Sequence, residues 1–164
     1  MIARETPILA ALDAVGVPYA VHRHPPVHTV DESIQLRGDI ACVHLKNLFL
    51  RDKRERMWLL TVREDREIDL RAVRYLLGTS GNPSFGSADR LRRTLGVEPG
   101  SVTPLAVVHD PSASVAVVLD ASVRGDVPVG VHPGHNAATV VLTANDLERF
   151  LIARAHPPTW LVLP

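Results

Sequence analysis

Apolar and polar positions alternate in short blocks along the chain, and the blocks predict strands mixed with helices. Val43 to Arg51 and Arg56 to Val62 are two strand-like runs flanking the charged segment Asp52-Lys53-Arg54-Glu55, the pattern of a β-hairpin. Tyr19 to His22 reads as a short strand. Leu105 to Val108, Val115 to Leu119 and Thr139 to Leu142 read as apolar, β-branched strands, and Thr159 to Leu163 as a last one. Helical spacing marks five other segments. Thr6-Pro7 opens an amphipathic run through Ile8, Leu9, Leu12 and Val15 that Gly16 stops. Thr29 to Leu36 carries Asp31 and Glu32 in its first turn. Asp69 to Leu77 sets Leu70, Val73, Leu76 and Leu77 on one face before Gly78, and Ser87 caps a helix that ends at Gly96. Asn145 to Ala155 turns Leu147, Phe150 and Leu151 inward. Such a mixture predicts an α+β or mixed α/β fold.

Composition narrows the class. The chain has 164 residues, 46% of them hydrophobic, enough for a real core and of a size that fits one domain spanning 1–164. Eighteen basic and eighteen acidic residues cancel, which argues against nucleic-acid binding through bulk charge but leaves room for a local basic patch. A single cysteine, Cys42, rules out an intrachain disulfide and fits a reducing compartment. No apolar run approaches membrane-spanning length, and Met1-Ile2-Ala3-Arg4-Glu5 has no signal core, so a soluble, cytoplasmic protein is expected. No Gly-x-Ser-x-Gly elbow, Walker loop or dinucleotide fingerprint is present.

Within the first hairpin strand, Lys46 stands among apolar neighbours in His44-Leu45-Lys46-Asn47-Leu48-Phe49. A core-strand lysine is costly unless its ammonium faces a cavity, a partner or a substrate. The bland alternative is a lysine that snorkels from an edge strand or pairs with a carboxylate. Two further motifs follow: the loop Gly100-Ser101-Val102-Thr103-Pro104, and the turn His132-Pro133-Gly134-His135-Asn136. Lys-Asn-Leu-Phe-Leu, Gly-x-x-x-Pro and His-Pro-x-x-Asn in this order resemble the YbaK/prolyl-tRNA synthetase-associated domain family, whose members hydrolyse wrongly charged tRNA. His24-Pro25-Pro26-Val27, Phe85-Gly86-Ser87 and Leu95-Gly96-Val97 match as well, and the set is most similar to the freestanding Ala-tRNA(Pro) deacylases. Each motif alone is weak; their order across nearly the whole chain is specific.

The resemblance implies a mixed sheet flanked by helices with one cleft, and trans-editing of Ala-tRNA(Pro) without a cofactor or metal. It implies that Lys46 is the main functional residue, assisted by the terminal ribose hydroxyl of the tRNA. Gly100 and His132 complete the catalytic set it implies, with substrate contacts from Val30, Asn47, Ser101, Val102, Thr103, Pro104 and Asn136. The partners it implies are the acceptor stem and CCA end of tRNA(Pro), with prolyl-tRNA synthetase as a candidate. Alternatives are editing of cysteine, serine or threonine esters, or a noncatalytic tRNA-binding module.

The residues themselves fit these roles in different degrees. A partly desolvated ammonium can hold a phosphate or polarise an ester carbonyl. On a regular strand Asn47 points to the face opposite Lys46. The Gly100 to Pro104 loop offers fixed backbone donors, though the same pattern also makes an ordinary connection. His132 suits positioning more than general-base work, because no carboxylate close in sequence is placed to orient it. Asn136 suits stitching its turn. His22, His24 and His28 invite a metal reading, but no cysteine or carboxylate cluster completes a set. Cys42 shares a strand face with His44, the arrangement of a thiol nucleophile, yet free cysteines are more commonly buried hydrophobes. Arg71 and Arg74 share one helix face and Arg90 and Arg93 another; each pair is a solvated face or a phosphate contact.

Overall fold

The computed structural model describes residues 2–27, 31–32 and 39–164. Eight strands form one mixed sheet: β1 (Ala20–Arg23), β2 (Val43–Arg51), β3 (Met57–Arg63), β4 (Ser84–Phe85), β5 (Val115–Asp120), β6 (Pro128–Val131), β7 (Ala138–Thr143) and β8 (Thr159–Leu161). Their spatial order is β1-β7-β6-β2-β3-β5-β8, with β4 paired to β2 off this path. The helices are α1 (Ile2–Val15), α2 (Leu70–Leu77), α3 (Ala88–Leu95) and α4 (Ala144–Ala153), with 3₁₀ segments at Pro104–His109 and Ala121–Val123. The mixed sheet flanked by helices agrees with the expected fold class. The helix expected over 29–36 lies outside the described residues apart from Asp31 and Glu32.

The expected hairpin is present, β2 and β3 being antiparallel with Lys46 opposite Val62 and Asn47 opposite Thr61. Its turn is stitched by buried Asp52, which accepts from the backbone N–H groups of Arg54, Arg56 and Ser80. Helices α2 and α3 begin at the caps Asp69 and Ser87 and close at Gly78 and Gly96, as their sequences predict.

The two faces of the sheet are covered differently. Against one face of β2, β5, β6 and β7 pack Ile8 and Leu12 of α1 and Leu147, Phe150 and Leu151 of α4. Leu91 and Leu95 of α3 join Phe49 and Leu59 on that same face. Val73 of α2 packs with Leu50, Leu60 and Val62, which lie on the other face of the β2–β3 pair.

Four expectations need correction. Leu105 to Val108 is not a strand but part of the 3₁₀ segment Pro104–His109; Pro104 opens it, Thr103 Oγ1 accepts from Leu105 N at 3.3 Å, and a short, continuous apolar run has no period to tell the two apart. Helix α1 begins before Thr6-Pro7, because Glu5 is held by tertiary contacts that order an extra turn. Leu76 is 42% exposed and does not join the buried stripe of α2. Strands β4 and β6 were not expected at all; both are very short, and they are defined by pairing, β4 to β2 and β6 to β2 and β7.

Strand β4 depends on a close approach. Gly86 N donates to Phe49 O at 2.9 Å, and a Cβ at Gly86 would lie 2.5 Å from two ring carbons of the buried Phe49. Gly86→Ala is therefore expected to destabilise the protein by about 1–3 kcal/mol through overpacking. Urea unfolding should show a lower midpoint; an unchanged midpoint would mean that β4 moves aside without cost.

Candidate active site on the open face of the sheet

Lys46 stands in the middle of β2, half-buried, on the face it shares with His44, Leu48 and Leu50. Among the described residues its ammonium forms no salt bridge or hydrogen bond, so the paired-lysine alternative gains no support. Asn47 lies on the opposite face, as the strand alternation predicts, and accepts a 2.6 Å hydrogen bond from Thr61 Oγ1.

The edge of β2 away from β3 is shared by two strands. β6 bridges Val43 and His44, in parallel, and β4 bridges Leu50 and Arg51. Among the described strands neither bridges 45–49, so the sheet is split beside Lys46. Continuing the β6 register (Val43 with Val129, His44 with Gly130) brings His132 abreast of Lys46 across this split and onto the same face.

Register also shows what else that face displays. Gly130 pairs with Val141, and His22 pairs with Thr139, so His22, Thr139, Val141, Gly130, His44 and Lys46 look out on one side. Among the described residues no helix covers the β1–β7–β6 part of this side, and α2 covers the β2–β3 part. Lys46 sits at the boundary. His24 reaches the same face: its Nδ1 donates to Pro25 O at 2.9 Å, which leaves Nε2 to accept from Thr139 Oγ1 at 2.9 Å. With both nitrogens so used His24 is a poor metal ligand. His28 lies outside the described residues, and no group of three His, Cys, Asp or Glu among those described could hold a metal ion. Cys42 Sγ is 3.8 Å from His44 Nδ1, the shared face expected of them.

The loop from Gly100 to Pro104 approaches from the other side. Gly100 has φ 88° with open space where a Cβ would stand, Ser101 and Thr103 are buried, and Val102 packs against the cluster that holds Phe49. Thr103 spends its hydroxyl on capping the 3₁₀ segment and Pro104 is buried, so among these residues the backbone at 100–102 is the part most open to a ligand. The structure brings Lys46 level with His132, while the Gly100 loop and Asn47 stand on the opposite face of β2. Val30, the remaining expected contact, lies outside the described residues.

The His132 turn is held by residues that sequence reasoning missed. His135 is buried, accepts from Ala137 N at Nδ1 (3.1 Å) and therefore donates from Nε2 to Glu5 at 2.6 Å. Glu5 also takes both guanidinium nitrogens of Arg23, at 3.1 and 2.7 Å. No local spacing links Glu5 to a histidine 130 positions away, so no signal in the sequence could have found the pair. Asn136 does not stitch its own turn but ties it to a distant segment: its amide donates to Val27 O at 2.9 Å, and Val27 N returns a bond to Asn136 O.

The residues from His24 to Phe150 match the model of the aminoacyl-tRNA editing domain. The chain belongs to that family. Editing a mischarged tRNA is hydrolysis of its aminoacyl ester, so the activity is that of an aminoacyl-tRNA deacylase, as the motif order implies. The chain is 37% identical over 150 residues to the prolyl-tRNA editing protein ProX of Acetoanaerobium sticklandii, covering 91% of each. It is 39% identical over 140 residues to the prolyl-tRNA synthetase associated domain-containing protein 1 of Danio rerio, covering 84% of this chain and 76% of that one. A solved structure of a candidate trans-editing enzyme for prolyl tRNA synthetase superposes with a TM-score of 0.73 at 18% identity and 98% coverage of both chains, which shows the shared fold.

The Arg23 guanidinium, together with the His135 donor, holds the Glu5 carboxyl down to about 2 from 4.5. A carboxylate with a lowered folded-state value adds stability that is full above about pH 4.5 and fades as pH falls toward 2. Glu5→Gln should lower stability by about 1–2 kcal/mol at neutral pH, where the lost bonds are charge-assisted. Urea unfolding at several pH values should show parent and variant converging on acidification; a difference that stays constant to pH 2 would mean that the ionised carboxylate is not the stabilising form.

Proposed function

We propose that this editing domain removes alanine from mischarged tRNA(Pro) in trans, in the cytoplasm, with the CCA end entering the split beside Lys46. A water oxygen attacks the ester carbonyl carbon, the bond from that carbon to the ribose oxygen breaks, the ribose oxygen takes a proton, and alanine leaves. The ammonium of Lys46 stabilises negative charge on the substrate, either on the terminal phosphate or on the carbonyl oxygen as it develops. His132 bounds the pocket of the aminoacyl group; the Gly100 to Val102 backbone, on the opposite face of β2, is left out of this arrangement. A site for alanine must exclude proline by size, because apolar contact alone discriminates poorly among small side chains. The observation that carries this reading is the half-buried Lys46, with no carboxylate partner among the described residues, beside an unbridged stretch of β2 and level with His132. The relatives and the solved structure named above, each tied to prolyl-tRNA or its synthetase, support tRNA(Pro); a complex with prolyl-tRNA synthetase fits the same similarities.

Lys46→Ala should keep the fold and lower deacylation of Ala-tRNA(Pro) by about 10²–10³-fold, the effect of removing one group that stabilises developing charge. A variant with near-parent turnover refutes the role of Lys46, and one that unfolds assigns the lysine to structure. A panel of Ala-, Cys-, Ser-, Thr- and Pro-tRNA(Pro) tests the amino acid: hydrolysis of the cysteine, serine or threonine ester in preference to alanine replaces that part of the proposal.

For the acceptor stem, the layers favour one arginine pair. Arg71 and Arg74 stand on α2, which covers the Lys46 side, whereas α3 packs on the other face. Arg90 is bonded to Glu55 at 3.0 Å and Arg93 lies 3.9 Å from Asp89. Replacing Arg71 and Arg74 together by Ala should weaken tRNA binding and reduce its salt dependence by about one to two counterions. Replacing Arg90 and Arg93 should do less. Equal loss from both pairs would place the stem across both layers.

A further inference from the structure

Two of the three phenylalanines, Phe49 and Phe150, are buried; Phe85 is 61% exposed. Its position is not that of a side chain left over at a loop tip. Phe85 is fixed opposite Leu50 by the β2–β4 ladder, and the next residue, Gly86, is pressed against the Phe49 ring and bonded to its carbonyl. Residues directly opposite on paired strands share a face, and Leu50 shares a face with Lys46. Phe85 therefore stands on the Lys46 side of the sheet, on the same edge of β2, at the far end of the unbridged stretch. Four residues of strand separate the two positions, roughly 13 Å.

The surroundings of this ring are basic. Lys53 lays its stem against Gly81, three residues before β4, and forms no salt bridge among the described residues; Arg51, opposite Ser84, belongs to the other face of β2. Arg74 of α2 bonds Asn82 at 3.5 Å, just before β4, and stacks over the 79% exposed Tyr75. A flat apolar ring, held rigidly and flanked by cations, matches an unpaired nucleobase with its phosphates. It does not match a protein surface, which would meet unneutralised charge around a single small apolar anchor. The span from Lys46 is that of a few nucleotides at about 3.4 Å per stacked step.

We infer that Phe85 is a stacking platform for an unpaired base of the RNA 3′ end, holding the strand while Lys46 meets its terminus. This rests on the editing reading for the identity of the RNA, and it adds a contact that fixes register: the base on Phe85 determines how far the ester reaches past the split.

The test uses the full chain and two labelled RNAs, an acceptor-stem minihelix ending in CCA and the same duplex with a blunt end. Phe85→Ala should weaken binding of the CCA-ended RNA about tenfold and leave the blunt duplex unchanged. Phe85→Trp should bind at least as well as the parent, and Phe85→Leu, apolar but without a flat face, should resemble the Ala variant. With aminoacylated RNA the Ala variant should raise KM more than it lowers kcat. Parent-like binding by Phe85→Ala, an equal loss on both RNAs, or rescue by Leu as full as by Trp overturns the inference. If Phe85→Ala fails to fold, the Trp-against-Leu comparison decides. A parent that binds the CCA end through Phe85 but releases no amino acid from any charged tRNA refutes the editing reading and leaves the platform standing. A parent that edits normally while Phe85→Ala binds and edits like it refutes only the platform.

Discussion

Strand β2 meets β3 from Leu45 to Arg51 on one edge but shares the other between β6 at its start and β4 at its end. Backbone N–H and C=O groups in the interior of a sheet need partners, and from Lys46 to Leu48 no described strand bridges that edge, the next bond being Gly86 N to Phe49 O at 2.9 Å. Such a stretch stays open only if its two flanking strands are anchored independently. β6 is anchored through the antiparallel ladder to β7, and β4 through the contact of Gly86 with Phe49. Lys46 is at once central and accessible because the neighbours of its strand part at its level, and not because the strand lies at the edge of the sheet.

Several loops of the fold, the His132 turn among them, are held by carboxylates and not by apolar packing alone. Glu5, Asp52, Asp110 and Asp120 are each at most 4% exposed, and each collects several donors. Glu5 ties α1 to β1 and to the His132 turn; Asp120 takes Arg66 and the backbone of Ser122 where β5 ends. Asp110 gathers Ser114, Val115 and the Nε2 of His156, whose Nδ1 donates to Arg154 O at 2.6 Å, and so closes the 3₁₀ segment against the end of α4. A buried carboxylate that loses its partners is expensive, so these contacts set loop positions more sharply than apolar contact would.

Much of this was legible in the sequence, for definite reasons. The hairpin, α2 and α3 have local causes, namely alternation, an Asp or Ser cap, and a closing glycine, and all three stand within a residue of expectation. Lys46 was conspicuous because its charge conflicts with its neighbours, and no local compensation explains it. β4 and β6 were illegible because two to four residues carry no period; they exist only through pairing, β4 to β2 and β6 to β2 and β7. The Glu5–His135 pair was invisible for a related reason: ion pairs between distant segments leave no trace in spacing. Phe85-Gly86-Ser87 was visible as a motif, but only the ladder shows that its ring is presented and not buried.

The formal net charge of zero understates how this chain meets a polyanion. Unlike the Arg63–Asp65 and Arg90–Glu55 pairs, whose acids are the more exposed members, two pairs bury the acid: the Glu5 and Asp52 side chains are 5% and 0% exposed, their partners Arg23 and Arg56 58% and 50%. Each such pair is neutral as a sum but turns its positive end to water, and the negative end is partly neutralised by backbone N–H groups. At distances beyond a Debye length this makes little difference, because the sum is zero and salt screens the rest. At contact distance a phosphate sees the guanidinium first. Basic side chains without an acid partner, among them Lys46, Arg51, Lys53 and Arg71, add to that near field. Affinity built this way is short-ranged and depends on geometry, which fits the proposed entry of an RNA end at the split in β2 better than binding to nucleic acid in general.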